Sequence, residues 1–350
     1  NMTLLSYLNI HKDINISIII GSYYDTNIFK LVDIDLLTDR ILLINCDGMV
    51  INTAKNTNSI IHRNFLLQYI IKPCVFISSI SNNIINRVIY IDSALTLLRE
   101  NPIDTTMIIN HSTNIHIWNK LNMKNINIYI DISNIYDFNN VSNTEDGIIF
   151  GSLIQMNKMV DIFENHGSQK FKKISEHIKS IENHQIRNQG SWIGQIMLDK
   201  KYNRCSYMTI ILYTARCTLT LYIINNTVEK MTNMSIENFM KLDITDKHVL
   251  VESVFIPVEK QNEYYDLYKI EINENNPLPL VHSGFSLILS PPPTENIISD
   301  CLIVYNILSK SPQRMYITEK LLEGQNMHID LINNVICKLK NELIIDEYSN

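Results

Sequence analysis

The chain is poor in glycine, with nine glycines among 350 residues, well under half of the usual share of about 7%. Glycine lets a loop adopt positive φ angles and lets the backbone approach a phosphate group closely. The glycine-rich nucleotide motifs are missing as well, since neither GxGxxG nor a Walker loop occurs. The sequence therefore offers few places at which a phosphate-binding loop could form.

Closely spaced cysteines are also missing. The six cysteines, which lie far apart and form no CxxC pair, are Cys46, Cys74, Cys205, Cys217, Cys301 and Cys337. This spacing argues against a disulfide scaffold and a zinc site, and it favours buried or unused thiols in a reducing compartment. HExxH and GxSxG are absent too. No metal site is predicted, and no catalytic residue is assigned.

The chain has neither a basic stripe nor a long apolar run. Its net charge is −6 and its lysines and arginines are scattered, so nucleic acid is not expected as a partner. No stretch approaches the 18 or so uninterrupted apolar residues of a membrane span, and no signal-peptide pattern opens the chain. A hydrophobic fraction of 45% with 19% charged residues is typical of a globular protein, which we expect in the cytoplasm.

Three regions are predicted from the residue patterns, 1–85, 86–245 and 246–350. Helical and strand patterns alternate in the second region, and strands followed by helices fill the third, which predicts an α+β fold. The predicted strands are Met107–Ile109, Ile126–Ile130, Gly147–Leu153, Leu219–Ile224, Val249–Ile256, Tyr264–Ile272, Val281–Leu289 and Leu302–Leu308. The predicted helices are Ser93–Glu100, Asn157–Glu164, Ser168–Ile181, Ile317–Leu322 and His328–Leu343.

One short segment, Gln189–Gln195, stands out for its chemistry. Gly190 and Gly194 flank a serine and the indole of Trp192, shortly after the basic Arg187. One interpretation is a turn with a packed tryptophan. The other is a ligand loop in which backbone N–H groups face a phosphate.

The same segment carries a family resemblance. IRNQGSWIGQIML at 186–198 resembles the second flavin loop of the xanthine dehydrogenase/aldehyde oxidase family, whose pattern is roughly I-R-N-x-(G/A)-S-x-x-G-N-(L/I). Four more segments resemble that family in the same order, and the likeness is greatest to its insect aldehyde oxidase branch. These segments are NMTLLSYL at 1–8, DGIIFGSLIQMNKMVDIF at 146–163, SGFSLIL at 283–289 and TEKLLEGQNM at 318–327.

The resemblance implies a domain layout. Residues 1–85 would be a degenerate 2Fe-2S ferredoxin-like region, and 86–245 a two-part FAD-binding domain of the PCMH type. Residues 246–350 would resemble the C-terminal domain of CO dehydrogenase flavoproteins. The family's molybdenum domain would follow, so we expect this chain to hold no molybdenum cofactor.

The chain departs from the family pattern at its cofactor sites. Each 2Fe-2S cluster needs four thiolates, and residues 1–85 contain only Cys46 and Cys74, so neither cluster is expected. FAD is implied to contact two segments, Asn110, His111, Ser112, Thr113 and Asn114 in the first, and Ser191, Ile193, Gly194 and Gln195 in the second.

Several of these FAD-contacting positions carry altered residues. In the first segment Asn110 and the following Ile115 stand where the family has its two glycines; in the second, Ile193 replaces a glycine and Gln195 an asparagine. Cys205-Ser206-Tyr207 stands where the family has an acidic residue. The sequence therefore predicts an FAD-binding oxidoreductase module with weakened cofactor binding. The alternative is a cofactor-free protein that acts as an interaction partner of a full-length family member or of a second copy of itself, or one with no selected role.

Overall fold

The computed structural model describes four short strands between residues 19 and 52, and residues 73–77, 83–110, 126–181, 183–202, 206–271, 280–291, 297–307 and 311–343. The chain divides into two compact units, one of residues 1–136 with 224–227 and one of residues 137–223 with 228–350. In the described residues each unit contains two β-sheets. The domain boundaries predicted at 85/86 and 245/246 follow the family layout and stay a prediction.

The first unit contains an antiparallel sheet and a mostly parallel one. The antiparallel sheet joins, in chain order, β1 (Ile19–Ile20), β2 (Phe29–Asp35), β3 (Arg40–Asn45) and β4 (Val50–Asn52). The other sheet contains β5 (Cys74–Ile77), β6 (Ile84–Arg87), β7 (Thr106–Ile109) and β8 (Ile128–Asp131), in the order β5-β6-β8-β7. Strands β6 and β7 both run parallel to β8, so all three end at the same edge of the sheet.

Helix α1 (Ile91–Glu100) connects β6 to β7. It buries Ala94 and Leu98, which lie one turn apart on the same face. This β-α-β connection fixes the direction of β7 and places Asn110 directly after the carboxyl end of that strand.

The second unit begins with a five-stranded sheet. Its strands are β9 (Val141–Asn143), β10 (Gly147–Gly151), β11 (Thr218–Ile224), β12 (Val228–Ser235) and β13 (His248–Pro257), in the order β12-β11-β13-β10-β9. β10 is antiparallel to β13 and to β9. At Gly151 a Cβ atom would lie 2.2 Å from the carbonyl oxygen of Phe138, so only glycine fits at the end of β10.

Six helices of this unit lie between β10 and β13 in the chain. They are α2 (Met156–His166), α3 (Gln169–Lys179), α4 (His184–Gln189), α5 (Trp192–Tyr202), α6 (Tyr207–Thr214) and α7 (Ile236–Lys241). α2 ends at Gly167, whose φ of +85° favours glycine. The rings of Phe150, Phe163 and Phe171 meet at centroid distances of 5.2 and 5.0 Å and join β10, α2 and α3 in one core.

A four-stranded antiparallel sheet completes the second unit. Its strands are, in spatial order, β14 (Glu263–Ile270), β15 (Val281–Leu289), β16 (Ile298–Ile307) and β17 (Gln313–Arg314). Helices α8 (Tyr316–Leu322) and α9 (Ile329–Glu342) follow in the chain. α6 packs against β15 so closely that a Cβ at Gly284 would lie 2.1 Å from the Thr214 hydroxyl oxygen.

A buried histidine pair connects α3 to β15. The Nε2 atoms of His177 and His282 are 2.8 Å apart, the ring centroids are 4.9 Å apart and the ring planes differ by 5°. The two rings therefore meet head to head in nearly one plane, with one nitrogen donating and the other accepting. Burial lowers the pKa of His177 to about 4, with Lys269 acting in the same direction and Asp266 and Glu271 opposing it. Burial also lowers the pKa of His282 well below its usual value.

A buried ion pair connects α3 to β14. Lys170 Nζ lies 3.3 Å from Glu263 Oε1, and both side chains are almost fully buried. The hydroxyl of Ser286 donates to the same carboxylate oxygen at 2.9 Å, and the backbone N–H of Lys260 donates to the other at 2.9 Å. Burial lowers the pKa of Lys170, and the carboxylate of Glu263 opposes that shift.

The observed elements confirm the predicted α+β fold class. Among the predicted segments, Asn157–Glu164 lies within α2, Leu219–Ile224 within β11 and Val281–Leu289 coincides with β15. The patterns missed α4, α5, α6, α7 and β12. Within Gln189–Gln195 the turn is limited to Gly190 and Ser191, because α5 begins at Trp192.

Candidate functional site

The start of α5 is fixed to the turn that joins β10 to α2. The backbone N–H of Met156 donates to the carbonyl of Gly190 at 3.1 Å, and Gln155 forms an isolated β-bridge with Ser191. The indole Nε1 of Trp192 donates to the carbonyl of Gly151 at 2.9 Å. Trp192 is fully buried, so the interpretation of a packed tryptophan is correct.

Arg187 joins the helices next to this turn through side-chain hydrogen bonds. Its guanidinium Nε donates to Asn157 Oδ1 at 3.0 Å, and its Nη1 donates to the carbonyls of Lys179 at 3.0 Å and Ile181 at 2.7 Å. These contacts tie α4 to α2 and to the end of α3. Arg187 is buried, and its positive charge serves the fold around the predicted flavin segment.

The first turn of α5 presents its backbone on an open side. The first N–H groups of a helix have no acceptor within the helix, and the helix dipole is positive at this end. Gly194 is exposed, and among the described residues outside the helix backbone a Cβ built on it would meet only Ser191 Oγ, at 3.9 Å. An anion can therefore approach these N–H groups without meeting a side chain at position 194.

The side chain of Ile193 points away from the open side of this turn. Its side chain is buried and belongs to the apolar core of the second unit. The side chains of adjacent helix residues point about 100° apart around the helix axis, so the side chain of Ile193 does not lie on the side that is exposed at Gly194. Ile193 therefore leaves the open side of the turn free, although it stands where the family has glycine.

Gln195 carries a polar atom without a partner. Its Nε2 lies 3.7 Å from the sulfur of Met156. Its Oε1 is buried and accepts no hydrogen bond from any described residue. The two ends of an amide are assigned from the surrounding contacts, so either end of Gln195 could face a ligand group at this turn.

A carboxyl group is present near the position where the family's acidic residue is replaced. Ser206 caps α6 by accepting the N–H of Thr209, and its hydroxyl donates to Asp199 Oδ2 at 2.8 Å. The Thr209 hydroxyl donates to the same oxygen. Burial raises the pKa of Asp199 to about 7 against the effect of these hydrogen bonds. Sequence reasoning missed Asp199, because its burial depends on how α5 and α6 pack.

The first predicted segment is described only at its start. Asn110 is half-buried and directly follows β7, whereas His111, Ser112, Thr113 and Asn114 lie outside the described residues. The carboxyl end of a parallel strand is where open α/β sheets bind their ligands.

An ion pair that sequence reasoning missed lies at the same edge of that sheet. Arg87 Nε is 3.0 Å from Asp131 Oδ2, and the two residues face each other across β6 and β8. No sequence pattern predicted this pairing, which depends on the register of the two strands.

Metal and membrane features are absent from the part of the chain that the structure describes. No three His, Cys, Asp or Glu side chains converge there to hold a metal ion. None of the described helices has the length and apolar character needed to cross a membrane. Three cysteines are described at the side-chain level and all are free, with Cys217 and Cys301 buried and Cys337 exposed.

Comparison with known proteins gives a family match and several relatives. The model of the "FAD binding domain in molybdopterin dehydrogenase" matches residues 83–259. Indole-3-acetaldehyde oxidase of Arabidopsis thaliana is 25% identical over 232 residues, which are 63% of this chain and 17% of the relative. Probable aldehyde oxidase 4 of Oryza sativa subsp. japonica is 23% identical over 234 residues, which are 62% of this chain and 28% of the relative. This chain thus spans less than a third of either relative.

Solved structures share the fold at low sequence identity. Carbon monoxide dehydrogenase from Hydrogenophaga pseudoflava aligns with a TM-score of 0.61 and 12% identity over 73% of this chain and 84% of that chain. Quinoline 2-oxidoreductase from Pseudomonas putida 86 aligns with a TM-score of 0.56 and 13% identity over 72% and 84%. The family model covers just over half of the 350 residues. The chain therefore belongs to the family of FAD-binding domains of molybdopterin dehydrogenases, as the resemblance predicted.

Proposed function

We propose that this chain is the flavin-carrying module of an aldehyde-oxidase-like oxidoreductase and binds FAD at the first turn of α5, with reduced affinity. The observation that supports this most is the open side of that turn at Gly194, where the one contact of a Cβ atom with described residues outside the helix backbone would be Ser191 Oγ, at 3.9 Å. A diphosphate is the part of FAD that such a helix N-terminus would hold.

The residues at this turn fit a diphosphate. The turn supplies N–H groups that have no acceptor within the helix, together with the positive end of the helix dipole. Gln195 adds a side-chain amide, whose NH2 group can donate to a phosphate oxygen when the amide is turned by 180°. Ile193 points into the core, so it leaves the approach free. We therefore assign Ser191, Gln195 and the backbone N–H groups of Ile193 and Gly194 to phosphate binding, and the side chain of Ile193 to anchoring the turn.

The affinity is proposed to be reduced because two family features are missing. Ser206 stands at the acidic position, and its hydroxyl is already engaged by Asp199. Asn110 begins the other predicted FAD segment, Asn110–Asn114, where the family has glycine. If each change removes one charge-assisted hydrogen bond worth about 1.5–3 kcal/mol, binding weakens by roughly two to four decades at about 1.4 kcal/mol per decade.

FAD would supply the redox chemistry of this module, since a flavin accepts and releases electrons. The side chains at α5 would hold and orient it, and we assign no catalytic residue. With two cysteines in residues 1–85, we propose that the chain holds no 2Fe-2S cluster. We also propose that it holds no molybdenum cofactor and works in the cytoplasm, exchanging electrons with a partner.

A titration with FAD and riboflavin tests this proposal. Both ligands contain the flavin ring, but only FAD carries the diphosphate that α5 would hold. The purified chain should quench FAD fluorescence saturably and should bind riboflavin at least about tenfold more weakly, a difference of about 1.4 kcal/mol. Equal affinity for the two ligands, or no saturable binding of FAD, would contradict the proposal.

A second candidate function is binding to another protein, either a full-length family member or a second copy of this chain. The observation in its favour is the exposed apolar side of α9, where Ile329, Ile332 and Ile336 lie on one face and Ile329 is 71% exposed. Sedimentation of the chain alone and mixed with a full-length aldehyde oxidase tests it. A monomer in both samples would contradict this function.

A further inference from the structure

The first residue of α5 connects the proposed phosphate-binding turn to the sheet. Trp192 is fully buried, and its indole N–H donates to the carbonyl of Gly151, at the last residue of β10. The contacts at Gly190 and Ser191 that fix the same turn are made by backbone atoms. Trp192 therefore adds a directed side-chain bond at the point where the helix begins.

The acceptor of this bond is itself held rigidly. Gly151 pairs with Ser253 in β13, and a Cβ on it would lie 2.2 Å from the carbonyl oxygen of Phe138. The carbonyl of Gly151 also accepts the backbone N–H of Ile154 at 3.2 Å, which fixes the direction of that carbonyl. The indole thus ties the helix start to a fixed point of the sheet.

We propose that Trp192 is a positioning residue for FAD, whose indole N–H orients the first turn of α5 so that the N–H groups of Ile193 and Gly194 point at the cofactor diphosphate. This inference rests on the proposed function and deepens it. Trp192 does not touch the cofactor, because its side chain points into the core. It acts through the backbone that follows it.

The physical reason is the weakness of a helix end. The first residues of a helix lack half of the backbone hydrogen bonds that hold its middle, so they open at low cost in free energy. Phosphate binding by backbone N–H groups requires several of them to converge within hydrogen-bond distance at once. A bond that fixes the first residue therefore raises the fraction of molecules in which the turn is ready to bind.

The test separates the effect of losing the indole N–H group from the effect of losing part of the ring volume. W192F removes both, whereas benzothienylalanine at position 192, introduced by codon suppression, removes only the N–H group. Y265F is the control for a lost bond, because the Tyr265 hydroxyl donates to the carbonyl of Ile211 at 3.1 Å in the same unit. F171L is the control for lost ring volume on α3.

FAD affinity and amide hydrogen exchange are measured for all five proteins at a temperature where each is folded. We expect the Kd for FAD to rise about tenfold in both position-192 variants and to stay within about twofold of the wild type in the controls. The amides of Ile193 and Gly194 should exchange faster only in the position-192 variants. If W192F fails to fold, the benzothienylalanine variant decides.

Two results would overturn the inference while the proposed function stands. One is an unchanged Kd in the benzothienylalanine variant, and the other is an equal rise in Kd in Y265F and F171L, which would show a general effect of lost stability. A wild-type chain that binds no FAD would overturn both the inference and the proposed function.

Discussion

Replacing Gly194 by alanine should move stability and FAD binding in opposite directions. The position lies in the first turn of α5, and the added methyl group would contact only Ser191 Oγ, at 3.9 Å, among the described residues outside the helix backbone. Glycine in a helix costs roughly 0.5–1 kcal/mol relative to alanine. G194A should therefore increase the free energy of unfolding by up to about 1 kcal/mol.

The same methyl group stands on the side from which the diphosphate would approach. If it removes one charge-assisted backbone hydrogen bond, it costs about 1.5–3 kcal/mol, and the Kd for FAD should rise by roughly 10- to 150-fold. Urea unfolding gives the stability change and fluorescence titration gives the Kd.

A control variant isolates helix propensity from cofactor contact. Asn334 is exposed on α9, and N334A should gain about 0.5 kcal/mol of stability through helix propensity alone. Its Kd for FAD should equal that of the wild type. If G194A gains stability and binds FAD as tightly as N334A does, the open side of α5 does not face the cofactor and the assignment of Gly194 is wrong.

Two further predictions concern the buried polar pairs of α3. Because the folded-state pKa values of His177 and His282 are depressed, the unfolded chain binds more protons between pH 6.5 and about 4, and stability is lost as the pH falls through that window. From His177 alone the loss of unfolding free energy is on the order of 3 kcal/mol. Urea unfolding at pH 7 and at pH 4.5 should therefore show a smaller loss of stability in H177Q/H282Q than in the wild type. An equal loss in the two proteins would contradict this. K170M should cost about 3–5 kcal/mol because it leaves Glu263 buried without its cation, and K170M/E263L should recover most of that. Equal unfolding free energies of K170M and K170M/E263L in urea would contradict the second prediction.

Elements with a clear polar and apolar face could be predicted from the sequence. α2 shows this for the helices, since its buried residues Met156, Met159, Val160 and Phe163 recur at helical spacing. β11 shows it for the strands, since Leu219 and Leu221 are buried and Thr218 and Thr220 only partly so, and both elements lie close to their predicted bounds. The family resemblance added the order of the parts and pointed to the 186–198 segment.

The helices around the proposed site could not be predicted in this way. Every residue of α6 from Tyr207 to Thr214 is buried, so that helix has no polar face and shows no period to detect. The orientation of Ile193 required knowing that α5 begins at Trp192. The sequence did not show that the side chain of Ile193, which stands where the family has glycine, points into the core.

Contacts between residues far apart in the chain could not be predicted from the sequence for a different reason. His177 and His282 are 105 positions apart, and no local pattern links them. Asp199 belongs to no sequence motif, and its raised pKa arises from burial against α6. In each case the property of the side chain depends on the packing of separate elements against one another.

The visible absorption spectrum of the chain, purified from cells supplied with ample flavin, tests the central claim most directly. We predict a flavin spectrum, with FAD released on denaturation in a ratio to protein below one because the affinity is reduced. A folded, colourless protein that shows no flavin absorption after incubation with excess FAD and removal of free ligand, and no saturable binding in titration, would contradict the account.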